Sequence, residues 1–230
     1  MTEYDAWAGV YDAWTGGVAD AALPFYVELA READGPIVEL AVGTGRVAIA
    51  IAQQTGKPVL GLDSSAAMLE VARERARGLP IDLRQADMRE FALDEAAALI
   101  YVPGRSLLHL HGWREKRDVF RRVAASLRPG GRFAFNCFVF DPRIAAELDG
   151  VRQEAGGVVH TSRYFAADSR IQMERDDGAT ITAWWVTRAE LEGLLDVAGL
   201  QTEALYGWFD KRPFDDDSTE FVWLARRPAA

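Results

Sequence analysis

Short apolar runs alternate along most of the chain with longer segments in which apolar residues recur every three or four positions. The short runs predict buried strands at residues 37–41, 58–62, 81–85, 97–102, 132–139, 202–206 and 220–225. The longer segments predict helices at residues 19–32, 47–55, 65–77, 113–127 and 188–198. Strands that alternate with helices are typical of a mostly parallel sheet covered on both faces.

Two segments depart from this alternation. Residues 2–17 carry four aromatic residues spaced by three or four, which predicts a first helix with one aromatic stripe: Tyr4, Trp7, Tyr11 and Trp14. Residues 158–165, 170–175 and 180–186 alternate with period two and are separated by turn residues. We therefore expect a small antiparallel meander after the fifth strand, and its outer surface is a candidate for pairing in a homodimer.

The composition of the chain limits which partners it can bind and in which cell compartment we expect it. The chain has 230 residues and a formal net charge of −9. This acidity argues against nucleic acid as a partner, because phosphate contacts need a basic surface. Cys137 is the only cysteine, which excludes an intrachain disulfide. The first residues do not resemble a signal peptide, and no apolar run is long enough for a bilayer, so we expect a cytoplasmic protein without membrane contact.

The main chemical signal is the turn at residues 39–46, between the first strand and the following helix. Gly43 and Gly45 would let a ligand approach the backbone, and the helix start offers free N–H groups. Asp63 ends the second strand about twenty residues later, where α/β folds that bind nucleosides place an acid for the ribose hydroxyls. This pair alone fits a methyltransferase and a nicotinamide dehydrogenase equally well.

Three further observations favour the methyltransferase. Residues 41–45 follow the pattern A-x-G-x-G instead of the dinucleotide pattern G-x-G-x-x-G. Glu39 stands at the strand end, where a pyrophosphate would meet like charge. Asp87 supplies a second acid after the third strand.

The sequence resembles class I S-adenosylmethionine-dependent methyltransferases, and among them the amino-sugar N-methyltransferases. The resemblance lies in four segments in family order: residues 39–45, 59–69, 85–91 and 127–133. It implies a Rossmann-like α/β fold, with a seven-stranded mostly parallel sheet, helices on both faces and an antiparallel C-terminal hairpin. It also implies one domain over residues 1–230, divided into a helical cap (1–35), a cofactor-binding core (36–148), an acceptor-side meander (150–187) and a C-terminal helix with hairpin (188–230).

The resemblance also assigns roles toward S-adenosylmethionine, whose product is S-adenosylhomocysteine. Asp63 would hold the ribose hydroxyls, Asp87 the adenine amino group and the Met88 backbone N–H an adenine ring nitrogen. Glu39 would orient the methionine ammonium, and Gly43 with Gly45 would lie against the methionine part. The remaining expected cofactor contacts are Tyr11, Ala41, Thr44, Ser64, Met68, Ala86 and Pro103. Ala41 replaces the commoner glycine of the first motif, and we expect tighter packing there with binding retained.

On the acceptor side, the resemblance makes His109 the candidate general base and Tyr11 its catalytic companion. A structural histidine at a helix start is the alternative reading of His109. His111 and His160 carry weaker claims, and the histidine spacing predicts no metal site. We thus expect methyl transfer to nitrogen or oxygen of a small-molecule metabolite, such as a sugar or another natural product. A nicotinamide oxidoreductase and a non-catalytic cofactor-binding protein remain the alternatives.

Overall fold

The computed structural model describes residues 2–229, and it contains two β-sheets. The strands are β1 (Ile37–Leu40), β2 (Val59–Asp63), β3 (Ile81–Gln85), β4 (Ala97–Val102), β5 (Leu127–Phe138), β6 (Arg152–Ala155), β7 (Val158–Phe165), β8 (Arg170–Arg175), β9 (Thr180–Trp184), β10 (Gln201–Tyr206) and β11 (Glu220–Arg226). The helices are α1 (Tyr11–Glu32), α2 (Arg46–Thr55), α3 (Ala66–Arg75), α4 (Gly112–Ser126), α5 (Pro142–Leu148) and α6 (Arg188–Ala198).

The larger sheet has seven strands in the order β10-β11-β5-β4-β1-β2-β3. Strands β1 to β5 run parallel to one another, while β11 is antiparallel to both β5 and β10. The predicted fold class is therefore confirmed. In such a sheet, the carboxyl ends of the parallel strands meet at one edge, which is the usual ligand-binding edge of an open α/β sheet.

The sheet is covered on both faces because its strands bury side chains on both sides. In β5, Phe133 and Phe135 join a core with α4 and α6, whereas Ala134 between them joins a second core with α1 and α2. This alternation follows the period of two of a strand. Strands β1 and β4 are buried at every position, as expected for the centre of a parallel sheet.

The smaller sheet has the antiparallel order β6-β7-β8-β9. Its β6–β7 turn lies against the start of α1. The φ angle of Gly156 is +54°, and a Cβ atom there would lie 1.9 Å from the Ala13 carbonyl oxygen, so only glycine fits. This contact fixes the meander beside the N-terminal helix.

Three local predictions are wrong. The predicted first helix over residues 2–17 is a 3-10 turn, Glu3–Ala6, after which α1 runs without a break from Tyr11 to Glu32. The meander has four strands, since β6 also pairs with β7; its residues are mostly polar and partly exposed, so they give no apolar alternation. The fifth strand, predicted at residues 132–139, begins at Leu127, so residues 129–131 lie inside β5, where the pairing with β4 shifts in register.

Candidate active site

The turn after β1 has the backbone conformation that its glycines predict. Gly43 and Gly45 have φ angles of +55° and +83°. A Cβ atom on Gly43 would meet nothing within 4 Å, whereas one on Gly45 would lie 3.2–3.3 Å from Ile49 and Ala72. Gly43 thus faces open space, and Gly45 allows α2 to pack closely on α3. Ala41 also has a positive φ angle, +56°, which is strained for a residue with a Cβ atom.

Glu39 is a buried acid at the carboxyl end of β1. Its carboxylate accepts a hydrogen bond of 2.8 Å from the Tyr101 hydroxyl. Burial raises the pKa of Glu39 to about 8, and the hydrogen bonds from Tyr101 and the Ala48 backbone offset only part of this effect. A carboxyl group that is costly to ionise in the free protein is a good partner for a ligand cation.

Asp63 is the last residue of β2, and Asp87 lies two residues after the neighbouring β3, at the same edge of the sheet as Glu39. Asp63 is buried and accepts hydrogen bonds of 2.8 Å from the backbone N–H groups of Gly43 and Ser65. Burial raises its pKa, against the effect of these bonds. Asp87 forms a two-pronged ion pair with Arg89, which lowers its pKa. The structure therefore brings the glycine turn and both acids to one edge, with Asp63 bound directly to the turn.

The N-terminal segment, residues 2–17, covers this edge. The Asp5 carboxylate accepts a 2.6 Å hydrogen bond from the Ser65 hydroxyl. Asp12 accepts a 2.7 Å bond from the Thr44 hydroxyl and pairs with Arg46 at 2.9 Å. These contacts place the aromatic residues of the segment above the glycine turn.

A cavity of about 1100 Å³ opens between the N-terminal segment, the sheet edge and the meander. The predicted site residues that line it are Tyr11, Glu39, Ala41, Gly43, Thr44, Pro103 and His109. The predicted residues outside its lining are Gly45, Asp63, Ser64, Met68, Ala86, Asp87 and Met88. The cavity therefore includes residues predicted to contact the methionine part and the acceptor, and none of those predicted to contact adenosine.

His109 lies in the 3-10 turn Ser106–His109, just after β4, and its ring is held at both nitrogens. Its Nδ1 is 2.7 Å from the Thr182 carbonyl oxygen, and its Nε2 is 2.5 Å from the Tyr4 hydroxyl. A carbonyl oxygen only accepts, so Nδ1 carries the proton and Nε2 accepts from Tyr4. Burial lowers the pKa of His109 and raises that of Tyr4, which keeps both groups neutral near pH 7.

The tyrosine that contacts His109 is thus Tyr4, whereas Tyr11 lies next to Tyr4, with ring centroids 5.7 Å apart. The sequence pattern placed Tyr4 in the aromatic stripe, but it did not indicate that Tyr4 contacts His109. Tyr11 lines the cavity beside Gly104, which has a φ angle of +66°. The structure thus gives His109 a hydrogen-bond partner, Tyr4, that the sequence did not indicate, and the expected catalytic and cofactor roles of Tyr11 stay predictions.

A second polar group at the cavity was missed from the sequence. Arg105 has a φ angle of +63° and donates three hydrogen bonds, of 3.0, 3.2 and 2.8 Å, to the fully buried Glu220. Asn136 donates to the same carboxylate and accepts from the Tyr26 hydroxyl. Arg105 and Asn136 both line the cavity. The only signal for Arg105 in the sequence is its position just after a buried strand and a glycine.

Of the other two histidines, only His160 lines the cavity. His111 is exposed and contacts Trp184 edge-on, whereas His160 is buried on β7. Within residues 2–229 no three side chains of the metal-binding types are grouped so that they could hold an ion. The same residues include no helix with the length and apolar character that a bilayer crossing needs.

Comparison with known proteins agrees with this architecture. Residues 37–131 match the model of a methyltransferase domain family. Over its whole length the chain is similar to the CcbJ methyltransferase from Streptomyces caelestis, with 26% identity, a TM-score of 0.86 and coverage of 100% of this chain and 99% of the other.

Two sequence relatives are also methyltransferases. A cypemycin N-terminal methyltransferase from a Streptomyces species is 24% identical and covers 90% of this chain and 89% of its own length. A 27-O-demethylrifamycin SV methyltransferase from Amycolatopsis mediterranei is 29% identical and covers 84% of this chain and 77% of its own. With the fold and the glycine turn described above, these matches identify the chain as a member of the S-adenosylmethionine-dependent methyltransferases.

Proposed function

We propose that the protein transfers a methyl group from S-adenosylmethionine to a nitrogen or oxygen atom of a small-molecule metabolite. The observation that carries this proposal is the hydrogen-bonded pair of Tyr4 and His109, which faces the same cavity as Glu39 and Gly43. The name of one relative specifies methylation of an N-terminus, and the name of another specifies a 27-O-demethyl substrate. These names fit a nitrogen or an oxygen atom as the methyl acceptor.

The residues at the sheet edge fit the methyl donor. Glu39 offers a buried carboxylate to the ammonium of its methionine part, and Gly43 leaves open space beside the backbone. Asp63 is held in place by the turn and would bind the ribose hydroxyls. Asp87 and the Met88 backbone would bind adenine. When bound, the donor supplies a methyl group on a positively charged sulfur, so the protein has to align the acceptor and exclude water.

Tyr4 and His109 can remove the proton that the acceptor loses. The Tyr4 oxygen would take this proton while its own hydroxyl proton moves to Nε2 of His109. The resulting imidazolium keeps its Nδ1 proton on the Thr182 carbonyl. The Glu3 carboxylate accepts hydrogen bonds of 3.0 Å from the backbone N–H and hydroxyl of Thr182. Burial lowers the pKa of His109, and the charge of Glu3 offsets part of this effect. Glu3 thereby stabilises the protonated ring of His109 that the proposed proton transfer produces.

The cofactor part of this proposal is tested by thermal stability with bound ligand. S-adenosylhomocysteine should raise the melting temperature and NAD should not, because only a ligand that binds the folded state stabilises it. Asp63→Ala should abolish most of the shift. Asp94→Ala is the control, since Asp94 is exposed and lies away from the cavity. Stabilisation by NAD instead would favour the oxidoreductase alternative.

The proton-transfer part is tested by turnover on a panel of amine and hydroxyl acceptors, followed as release of S-adenosylhomocysteine. Tyr4→Phe and His109→Ala should each lower kcat about a hundredfold, which is the usual range for loss of a general base. The exposed His111→Ala is the matched control and should retain activity. Binding of the donor without turnover of any acceptor would favour the non-catalytic alternative, and full activity of Tyr4→Phe would refute the proposed proton path.

A further inference from the structure

The meander contributes two polar side chains to the cavity that the proposed reaction does not use. Gln153 on β6 and His160 on β7 are direct partners across the antiparallel pair, so their side chains lie on the same face of the sheet. Both residues line the cavity. His160 is 7% exposed, and Gln153 is half-buried.

Each of these side chains has a buried nitrogen atom without a hydrogen-bond partner in the described part of the chain: Nε2 of Gln153 and Nδ1 of His160. Burial lowers the pKa of His160, and the Val158 backbone offsets only part of this effect. The ring is therefore neutral near pH 7. Buried polar atoms are nearly always satisfied in folded proteins, so two unsatisfied atoms on paired residues that line one cavity indicate a ligand group that satisfies both.

A row of aromatic rings lies between this pair and the proposed reaction centre at His109. From His109 the wall runs through Tyr4, Tyr11 and Trp14 to His160, with centroids of successive rings 5.0, 5.7, 6.3 and 5.7 Å apart. An acceptor that reaches both ends would lie along this apolar wall. The close contact of the β6–β7 turn with α1 fixes the far end relative to the rings.

We propose that Gln153 and His160 form a second binding subsite, which takes an uncharged hydroxyl group at the end of the acceptor opposite to the methylated atom. A hydroxyl fits both partners, because it can accept from the amide Nε2 and donate to an imidazole nitrogen. This inference rests on the proposed function and adds the class of acceptor: an elongated molecule with a nucleophilic end, an apolar middle and a hydroxyl end.

The experiment uses linear ω-amino alcohols of three to twelve carbons as probes, each compared with the alkylamine of equal length. Affinity is measured by calorimetry on the protein saturated with S-adenosylhomocysteine. At the length that spans the wall, the amino alcohol should bind about tenfold more tightly than its alkylamine, as expected for satisfying a buried polar pair. Gln153→Leu and His160→Phe should each abolish this preference and leave the affinity for S-adenosylhomocysteine unchanged.

A second measurement does not depend on the variants. The ring-nitrogen NMR resonances of His160 should shift on addition of the fitting amino alcohol and remain unchanged with the alkylamine. The proposal is overturned if S-adenosylhomocysteine binds but no chain length shows a hydroxyl preference, or if the preference survives in both variants. Failure of the unsubstituted protein to bind S-adenosylhomocysteine would instead contradict the proposed function, so the two failures are distinguishable.

Discussion

Glu39→Gln should stabilise the free protein while it weakens cofactor binding. The change replaces a buried carboxyl by an amide of equal shape that can still accept from Tyr101. In the folded protein the Glu39 pKa is about 8, compared with an ordinary value of 4.5. Because the folded state holds the proton more tightly, the contribution of Glu39 to stability is complete below pH 4.5 and is lost as the pH rises through 8.

The magnitude follows from the pKa difference. At pH 7 an unfolded chain has ionised Glu39 and the folded chain has not, which costs the folded state about 3 kcal/mol at 1.36 kcal/mol per pH unit. Above pH 9 the cost rises to about 5 kcal/mol. The free energy of unfolding of Glu39→Gln should therefore equal that of the unsubstituted protein at pH 4.5 and exceed it increasingly up to pH 9.

Urea unfolding at several pH values measures this difference, with the exposed Glu70→Gln as a control that should show none. Binding of S-adenosylhomocysteine should show the opposite trend: its affinity for Glu39→Gln should fall at least tenfold, because the amide cannot pair with the ammonium. In the unsubstituted protein, binding at pH 7 should release a proton, visible as a dependence of the calorimetric enthalpy on the buffer. A stability difference that does not change with pH would refute the reasoning.

The remaining predictions concern backbone strain and a buried lysine. Ala41→Gly should raise the free energy of unfolding by about 1 kcal/mol in thermal melts, because it relieves a positive φ angle, whereas Ala67→Gly inside α3 should lower it by a similar amount. Gly156→Ala should cost about 3 kcal/mol through its clash with backbone, and Gly157→Ala, which has open space, only about 1 kcal/mol; equal losses would contradict the close contact. Burial lowers the pKa of Lys116 to about 8 from 10.5, so the unfolded state binds more protons between these values. The stability of the unsubstituted protein relative to Lys116→Met should therefore rise from pH 8 to 10.5 in urea unfolding, and a flat difference would contradict the burial.

The sequence by itself determined the layers of the fold and the cofactor edge. Hydrophobic period is a local property, so the buried strands and most of the amphipathic helices followed from it, as in the alternation of Phe133, Ala134 and Phe135 between two cores. The glycine turn and Asp63 were predictable for the same reason. Each is defined by its position at the end of a strand, and a parallel sheet brings those ends together. Polar β6 was missed because it lacks any such pattern.

Only the tertiary structure decided which side chains meet across the cavity. Tyr4 and His109 are 105 residues apart, and Arg105 and Glu220 are 115 apart, so their contacts depend on how whole elements dock. The contact of Tyr4 with His109 follows from the 3-10 turn that precedes α1, whereas the periodicity predicts one helix over residues 2–17. The pairing of Gln153 with His160 follows from strand register, because a shift of β6 by one residue would turn Gln153 to the face opposite to His160.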